Sequence, residues 1–304
     1  MTQLERRRAR LSAGDISYVE EGEGPAVVLL HGFPTNADLW RNLAPLLAPR
    51  FRVVAPDLLG YGGSEKPEDA DLSISAQARH VRDLLERLGV REFAAVGHGA
   101  GGGIAQLLAV DGGVRTLVLL DTVAFDGWAP PGVVPDLTDD GPVADPGMAE
   151  RAVREAFTRG MGHPERLLPG DMELFTEPWR EDPAALLRAA RALEGPALSG
   201  VPPRIAEQAI PVLVLWGEED PWLPPSLAER LQDEIGEAAV ALLPGCSHFV
   251  LEDAPETVAP IVFQFLRLRY LGEAHGHGPA PAPVDLGVSF QRPAESSQLP
   301  DEGE

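Results

Sequence analysis

Cys246 is the only cysteine in 304 residues, and Lys66 is the only lysine. A single thiol excludes an internal disulfide framework and any zinc site built on cysteines. Positive charge is scarce altogether: 25 Lys and Arg face 47 Asp and Glu, for a formal net charge of −22. That balance argues against nucleic acid or an anionic membrane as partner, and its plain consequence is solubility. No apolar run reaches the roughly 18 residues of a membrane span. Residues 1–8 carry basic side chains with no apolar stretch behind them, so they do not read as a secretory leader. A cytoplasmic location is expected. The expected partner is a small-molecule substrate, monomer and homodimer are equally compatible, and no cofactor or metal is implied.

What is present is an alternation of buried strands and amphipathic helices. Residues 25–30, 52–55, 93–96, 116–120, 210–216 and 238–243 are short apolar runs, the pattern of strands buried on both faces of a parallel sheet. A hairpin over residues 6–22, turning at Ala13-Gly14, precedes them. Helical periodicity or propensity falls at 37–47, 75–88, 104–110, 226–235 and 255–271. Between 122 and 209 the strand signal stops. Residues 126–147 are rich in Pro, Gly and Asp, and helical stretches follow near 148–159 and 183–193. The expectation is an α/β fold with a mainly parallel, doubly covered sheet. Its core is residues 1–122 and 210–271, with 123–209 as a helical insertion. Residues 272–304, acidic and rich in Pro and Gly, hold too little apolar surface to repay ordering and are expected to be disordered. His275 and His277 in that tail read as an incidental pair rather than a metal site.

The stretch from Glu92 to Ala105 organises the rest. An apolar strand runs into Gly97-His98-Gly99-Ala100-Gly101-Gly102, and a helix of small residues leaves it. Strand, tight glycine turn and helix are the context of a nucleophile elbow, G-x-nucleophile-x-G, where a strained turn lifts one side chain above the sheet. Gly97 and Gly101 occupy the two outer positions; the central one, where Ser, Asp or Cys belongs, is Gly99.

These residues resemble the elbow of the α/β-hydrolase superfamily, most closely the branch of epoxide hydrolases, haloalkane dehalogenases and related esterases, whose helical cap follows the sixth strand. The resemblance runs over residues 10–271 and rests on three further motifs. Trp216-Gly217-Glu218-Glu219-Asp220-Pro221 resembles the motif that carries the triad acid, which implies Asp220 in that role; the alternative is an Asp that caps the turn at Pro221-Trp222. Pro244-Gly245-Cys246-Ser247-His248 resembles the loop of the general base, which implies His248. His31-Gly32-Phe33-Pro34 resembles the oxyanion loop, implying that the backbone N–H groups of Phe33 and Ala100 hold the developing negative oxygen. His31 and His98 match family positions that are more often structural than catalytic, and both are also candidates for the substrate-pocket lining. Cys246, two residues from the base, is a weaker candidate nucleophile because it is not on the elbow.

Two specialised chemistries lose support. A haloalkane dehalogenase usually has Trp directly after its nucleophile, and this chain has Ala100. Epoxide hydrolases usually raise cap tyrosines to the epoxide oxygen, whereas Tyr18, Tyr61 and Tyr270 all lie outside residues 123–209. Phe125, Trp128, Phe175, Trp179 and Trp222 suit an apolar substrate, or simply pack the cap onto the sheet. Without a side chain Gly99 cannot form a covalent intermediate. Three functions follow: a hydrolase of small apolar esters or epoxides in which Gly99 stands for a Ser or Asp; an enzyme whose Asp220–His248 pair acts alone as a general base, on water or on a carbon acid; or a catalytically silent binding protein.

Overall fold

The computed structural model describes residues 4–125, 145–193, 198–272 and 290–291. Strands β1 (Arg6–Arg10) and β2 (Asp15–Glu21) form the hairpin, and β3 (Ala26–Leu30), β4 (Arg52–Pro56), β5 (Phe93–His98), β6 (Val114–Leu120), β7 (Val212–Gly217) and β8 (Ala239–Leu243) follow. Together with β9 (Phe290–Gln291) they make one sheet in the order β1-β2-β4-β3-β5-β6-β7-β8-β9. The central pairings from β4 through β3 to β8 are parallel; β1–β2, β2–β4 and β8–β9 are antiparallel. Every residue of β3, β5 and β7 is buried, so both faces of the sheet are covered, as a parallel sheet with crossover helices requires.

The covering helices form two groups. In one, α3 (Ala100–Asp111) packs on β3, β5 and β6 and meets α2 (Ile74–Arg87) and α7 (Val201–Glu207), with α8 (Ser226–Ile235) beyond; in the other, α1 (Ala44–Leu47) meets α10 (Pro255–Arg269), which follows the single turn of α9 (Val250–Asp253). The helix expected over 37–47 is broken into a 3-10 turn (Ala37–Trp40) and the single turn of α1. Asn36 caps the first piece by accepting the Asp38 N–H, and Pro45 is suited only to the first turn of the second.

Between β6 and β7 the chain builds α4 (Pro146–Gly160), α5 (Pro169–Glu181) and α6 (Pro183–Ala192). Helix α5 is absent from the sequence expectation because Pro178 interrupts its pattern. Phe125 and Leu198 form an isolated bridge where the insertion leaves the core and returns. The tail expectation falls almost wholly on residues outside those described; residues 290–291 are placed as a strand on the free edge of β8.

The sheet order reverses at β3. Its next strand, β4, lies on one side, and β5 lies on the other. A crevice opens at such a switch point beyond the C-terminal ends of the strands. The loops after β3 and β5 meet there.

Candidate active site

Close backbone approach explains the glycines of the elbow. A Cβ on Gly97 would lie 2.4 Å from the Gly101 carbonyl oxygen, and one on Gly101 would lie 2.0 Å from that of Leu30. No other residue fits either position. Gly99 differs: its φ is +55° and ψ −123°, a left-handed turn, yet a Cβ there would meet nothing nearer than His248 Nε2 at 3.5 Å and Gly32 Cα at 3.7 Å. The elbow therefore has room for a side chain and aims that room at the imidazole.

His248 is held in a fixed tautomer. Its Nδ1–H donates to Asp220 Oδ2 at 2.9 Å, which leaves Nε2 as the acceptor facing Gly99. Asp220 Oδ1 accepts the N–H groups of Trp222 and Leu223, each at 2.9 Å. One oxygen of Asp220 thus caps the turn while the other meets the imidazole. The Trp222 ring stands edge-on to the imidazole, centroids 4.9 Å apart. His98 lies 4.8 Å from it on another side and donates Nε2–H to the His248 carbonyl at 2.9 Å.

His31 and His98 are structural in this arrangement. His31 Nδ1–H donates to the Gly32 carbonyl and Nε2 accepts the Leu58 N–H, which locks the loop after β3. Burial lowers the pKa of His31 to about 4, against backbone hydrogen bonding and the Asp57 charge, which raise it. Burial first, and the charge of His248 second, lower that of His98 to about 3. Both rings stay neutral across the physiological range.

The oxyanion candidates face the same space. Gly32 packs against the elbow so closely that a Cβ on it would lie 3.2 Å from the Ala100 nitrogen. Among the described residues neither the Phe33 nor the Ala100 N–H has a backbone acceptor. The Phe33–Pro34 peptide bond is cis, and the Pro34 carbonyl accepts the Trp179 indole N–H at 2.7 Å. Helix α5 is thereby fastened to the loop after β3. Trp179 also packs edge-on against Tyr61 at 5.3 Å, so Tyr61, remote from the insertion in sequence, joins it in space.

Residues 25–255 match the family described as alpha/beta hydrolase fold. The chain belongs to the α/β-hydrolase family. Among its relatives, "Haloalkane dehalogenase 2" of Mycobacterium tuberculosis is 31% identical over 286 residues, covering 83% of this chain and 92% of the relative. "Soluble epoxide hydrolase" of Corynebacterium sp. is 38% identical over 124 residues, 40% of this chain and 43% of that one. A solved α/β-hydrolase-fold protein from Burkholderia ambifaria superposes with a TM-score of 0.72 at 28% identity, covering 87% of this chain and 98% of the other.

Within this α/β-hydrolase the other candidates separate. The Phe125 ring lies under the Arg230 guanidinium, 3.7 Å away, at the root of the insertion. Trp128 lies outside the described residues. Cys246 is buried, and burial pushes its thiol up to about 12, so it is no thiolate nucleophile. Among the described residues no group of three or more His, Cys, Asp or Glu side chains is placed to hold a metal.

Sequence reasoning missed two carboxylates. Asp253, fully buried, accepts the N–H groups of Ser247 (2.8 Å) and Gly162 (3.0 Å) on one oxygen and that of His163 (2.9 Å) on the other. It joins the base loop to the end of α4. Asp121, at the end of β6, accepts the Gly217 N–H at 2.8 Å. Its burial, with the Asp220 charge adding to it, raises its pKa well above the usual carboxylate value. The partners of both are 90 or more residues away for Gly162, His163 and Gly217, and no local pattern marks such pairings.

Proposed function

We propose that this chain hydrolyses small, rather apolar esters or epoxides, with water in the space beside Gly99 as nucleophile and the Asp220–His248 pair as its general base. The observation that carries the reading is the 3.5 Å separating His248 Nε2 from the Cβ position of Gly99. A water standing there gives its proton to Nε2 while its oxygen attacks the substrate. Asp220 holds the tautomer and stabilises the imidazolium that forms. The oxygen that gains charge is received by the Phe33 and Ala100 N–H groups, as the family's oxyanion hole would do.

The helices between β6 and β7 act as the cap in this reading. Phe157, Phe175 and Phe249 stack in series, with Phe157–Phe249 centroids 4.4 Å apart, and give the site an apolar wall. Relatives named for dehalogenase and epoxide hydrolase activity support water-driven cleavage of a small electrophile. Ala100, in the place of the tryptophan that dehalogenases use, favours ester or epoxide over halide.

The test is turnover of a short aryl ester and an aryl epoxide by the protein, by Gly99→Ser, by Gly99→Asp and by His248→Ala. The unaltered protein should exceed the uncatalysed rate by more than about 10³ to 10⁴, because its general base adds to what binding and an oxyanion hole alone supply. His248→Ala should lose about 10² or more of that. Turnover only in the Ser or Asp variant would reject water as the native nucleophile and make Gly99 a disabled elbow. Silence in every variant would favour a binding role.

A further inference from the structure

We infer that the space beside Gly99 is a binding site for a small monoanion of the size of formate or azide, and that such an anion attacks the electrophile in place of water. Its catalytic half rests on the hydrolase reading above; its binding half does not.

Three features converge on that space. The first is the room at the turn itself, where the three atoms nearest the Cβ position of Gly99 stand 3.5 to 3.9 Å away, at ordinary van der Waals distance. The second is His248, whose side chain is 4% exposed and whose Nε2 has no hydrogen-bond partner among the described residues. That nitrogen is the atom nearest the Cβ position of Gly99, an acceptor in the neutral ring, and in the imidazolium it becomes a donor for an anion. The third is the first turn of α3, which opens at Ala100, carries no acidic side chain, and adds its positive dipole end to the free N–H of Phe33. A side-chain carboxylate at an elbow would occupy this space tethered through its Cβ. Formate is that carboxylate without the tether.

The chemistry balances with the anion and a proton from solvent. A lone pair of the anion forms a bond to an epoxide carbon while the carbon–oxygen bond breaks. The oxygen takes the electron pair, is held by the Phe33 and Ala100 N–H groups, and receives the proton of the His248 imidazolium, which solvent restores. Azide stays in the product as an azido alcohol. Formate gives a hydroxy ester, which water then hydrolyses to the diol, releasing formate again.

Two measurements on the full chain decide it. In the first, sodium formate and sodium azide are titrated against protein carrying isotope-labelled histidine, with the His248 signals assigned by their loss in His248→Ala. A saturable shift of His248 is expected, with none from the bulkier pivalate and none in Gly99→Asp. The pivalate comparison needs no variant, so poor folding of Gly99→Asp leaves the test intact. In the second, consumption of an aryl epoxide should rise about tenfold or more with azide, the modest end of what a positioned nucleophile supplies, and the azido alcohol should appear by mass. No saturable shift of His248 overturns the site. Diol formation indifferent to azide and formate overturns the transfer while the hydrolase reading stands. A saturable His248 shift with no turnover of ester or epoxide in any variant leaves the anion site and rejects the hydrolase reading.

Discussion

Gly99 carries no side chain on the turn, and none of the strain that one would add. At φ +55° any residue with a Cβ is held in a conformation that costs on the order of 1–3 kcal/mol, a cost that elbows with a side-chain nucleophile carry. Gly99→Ser is therefore expected to lower unfolding stability by about 1–3 kcal/mol in a urea titration, even if it raises turnover. An unchanged or higher stability would mean the backbone at 99 relaxes to another conformation. Gly97 and Gly101 were legible because close backbone approach demands glycine there, and the Asp220–His248 contact was legible only through the loop motifs that carry the two residues. Phe125 and Trp179 carried the same signal, an aromatic in the segment between β6 and β7, and they meet different partners. Phe125 turns to Arg230, whereas Trp179 reaches Pro34. That choice is made by packing between distant segments.

Among the elements, the sheet was readable from apolar runs, with β7 and β8 expected within two residues of their observed starts at Val212 and Ala239. The insertion was not: α5 carries Pro178, and what fastens α4 to the core is Asp253, one acid in an ordinary acidic pair. That fastening is testable. Asp253→Asn keeps the shape but turns an NH₂ toward at least one N–H donor that Asp accepts, leaving buried donors unpaired. A loss of about 3 kcal/mol is expected, within the range for hydrogen bonds to a charged group. Hydrogen exchange should rise at residues 160–163 and 247–249 together, since Phe249 N–H also donates to the Gly160 carbonyl at 2.9 Å. Faster exchange confined to one of the two segments would deny the coupling. The buried bidentate pair of Arg41 and Glu252, at 2.6 Å on both arms, braces the same base loop from the side of β3.

For the molecule as a whole, two buried neutral imidazoles set a response to acid. His31 and His98 have folded pKa values of about 4 and about 3, against 6.5 for an exposed histidine. As pH falls below 6.5 the unfolded chain takes up those protons first, so the contribution of both rings is complete above that pH and is lost toward 4 and then 3. Asp121 works in the opposite sense: its raised value means that stability is gained as pH falls toward the ordinary carboxylate range. Urea midpoints between pH 7 and pH 4 should fall less steeply in His98→Asn than in the unaltered protein, at about the slope that one proton contributes. Equal slopes would place the acid sensitivity elsewhere.

The inserted helices hold both halves of the candidate machinery at once. Trp179 grips the loop that carries Phe33, and the end of α4 grips the loop that carries His248. A movement of these helices wide enough to admit a molecule from above would pull the acceptor of charge and the acceptor of the proton away from each other. For the proposed hydrolysis, admission and reaction would then exclude one another in time: an electrophile would be spared attack on its way in, and the frequency of closing would place a ceiling on how often the site could fire.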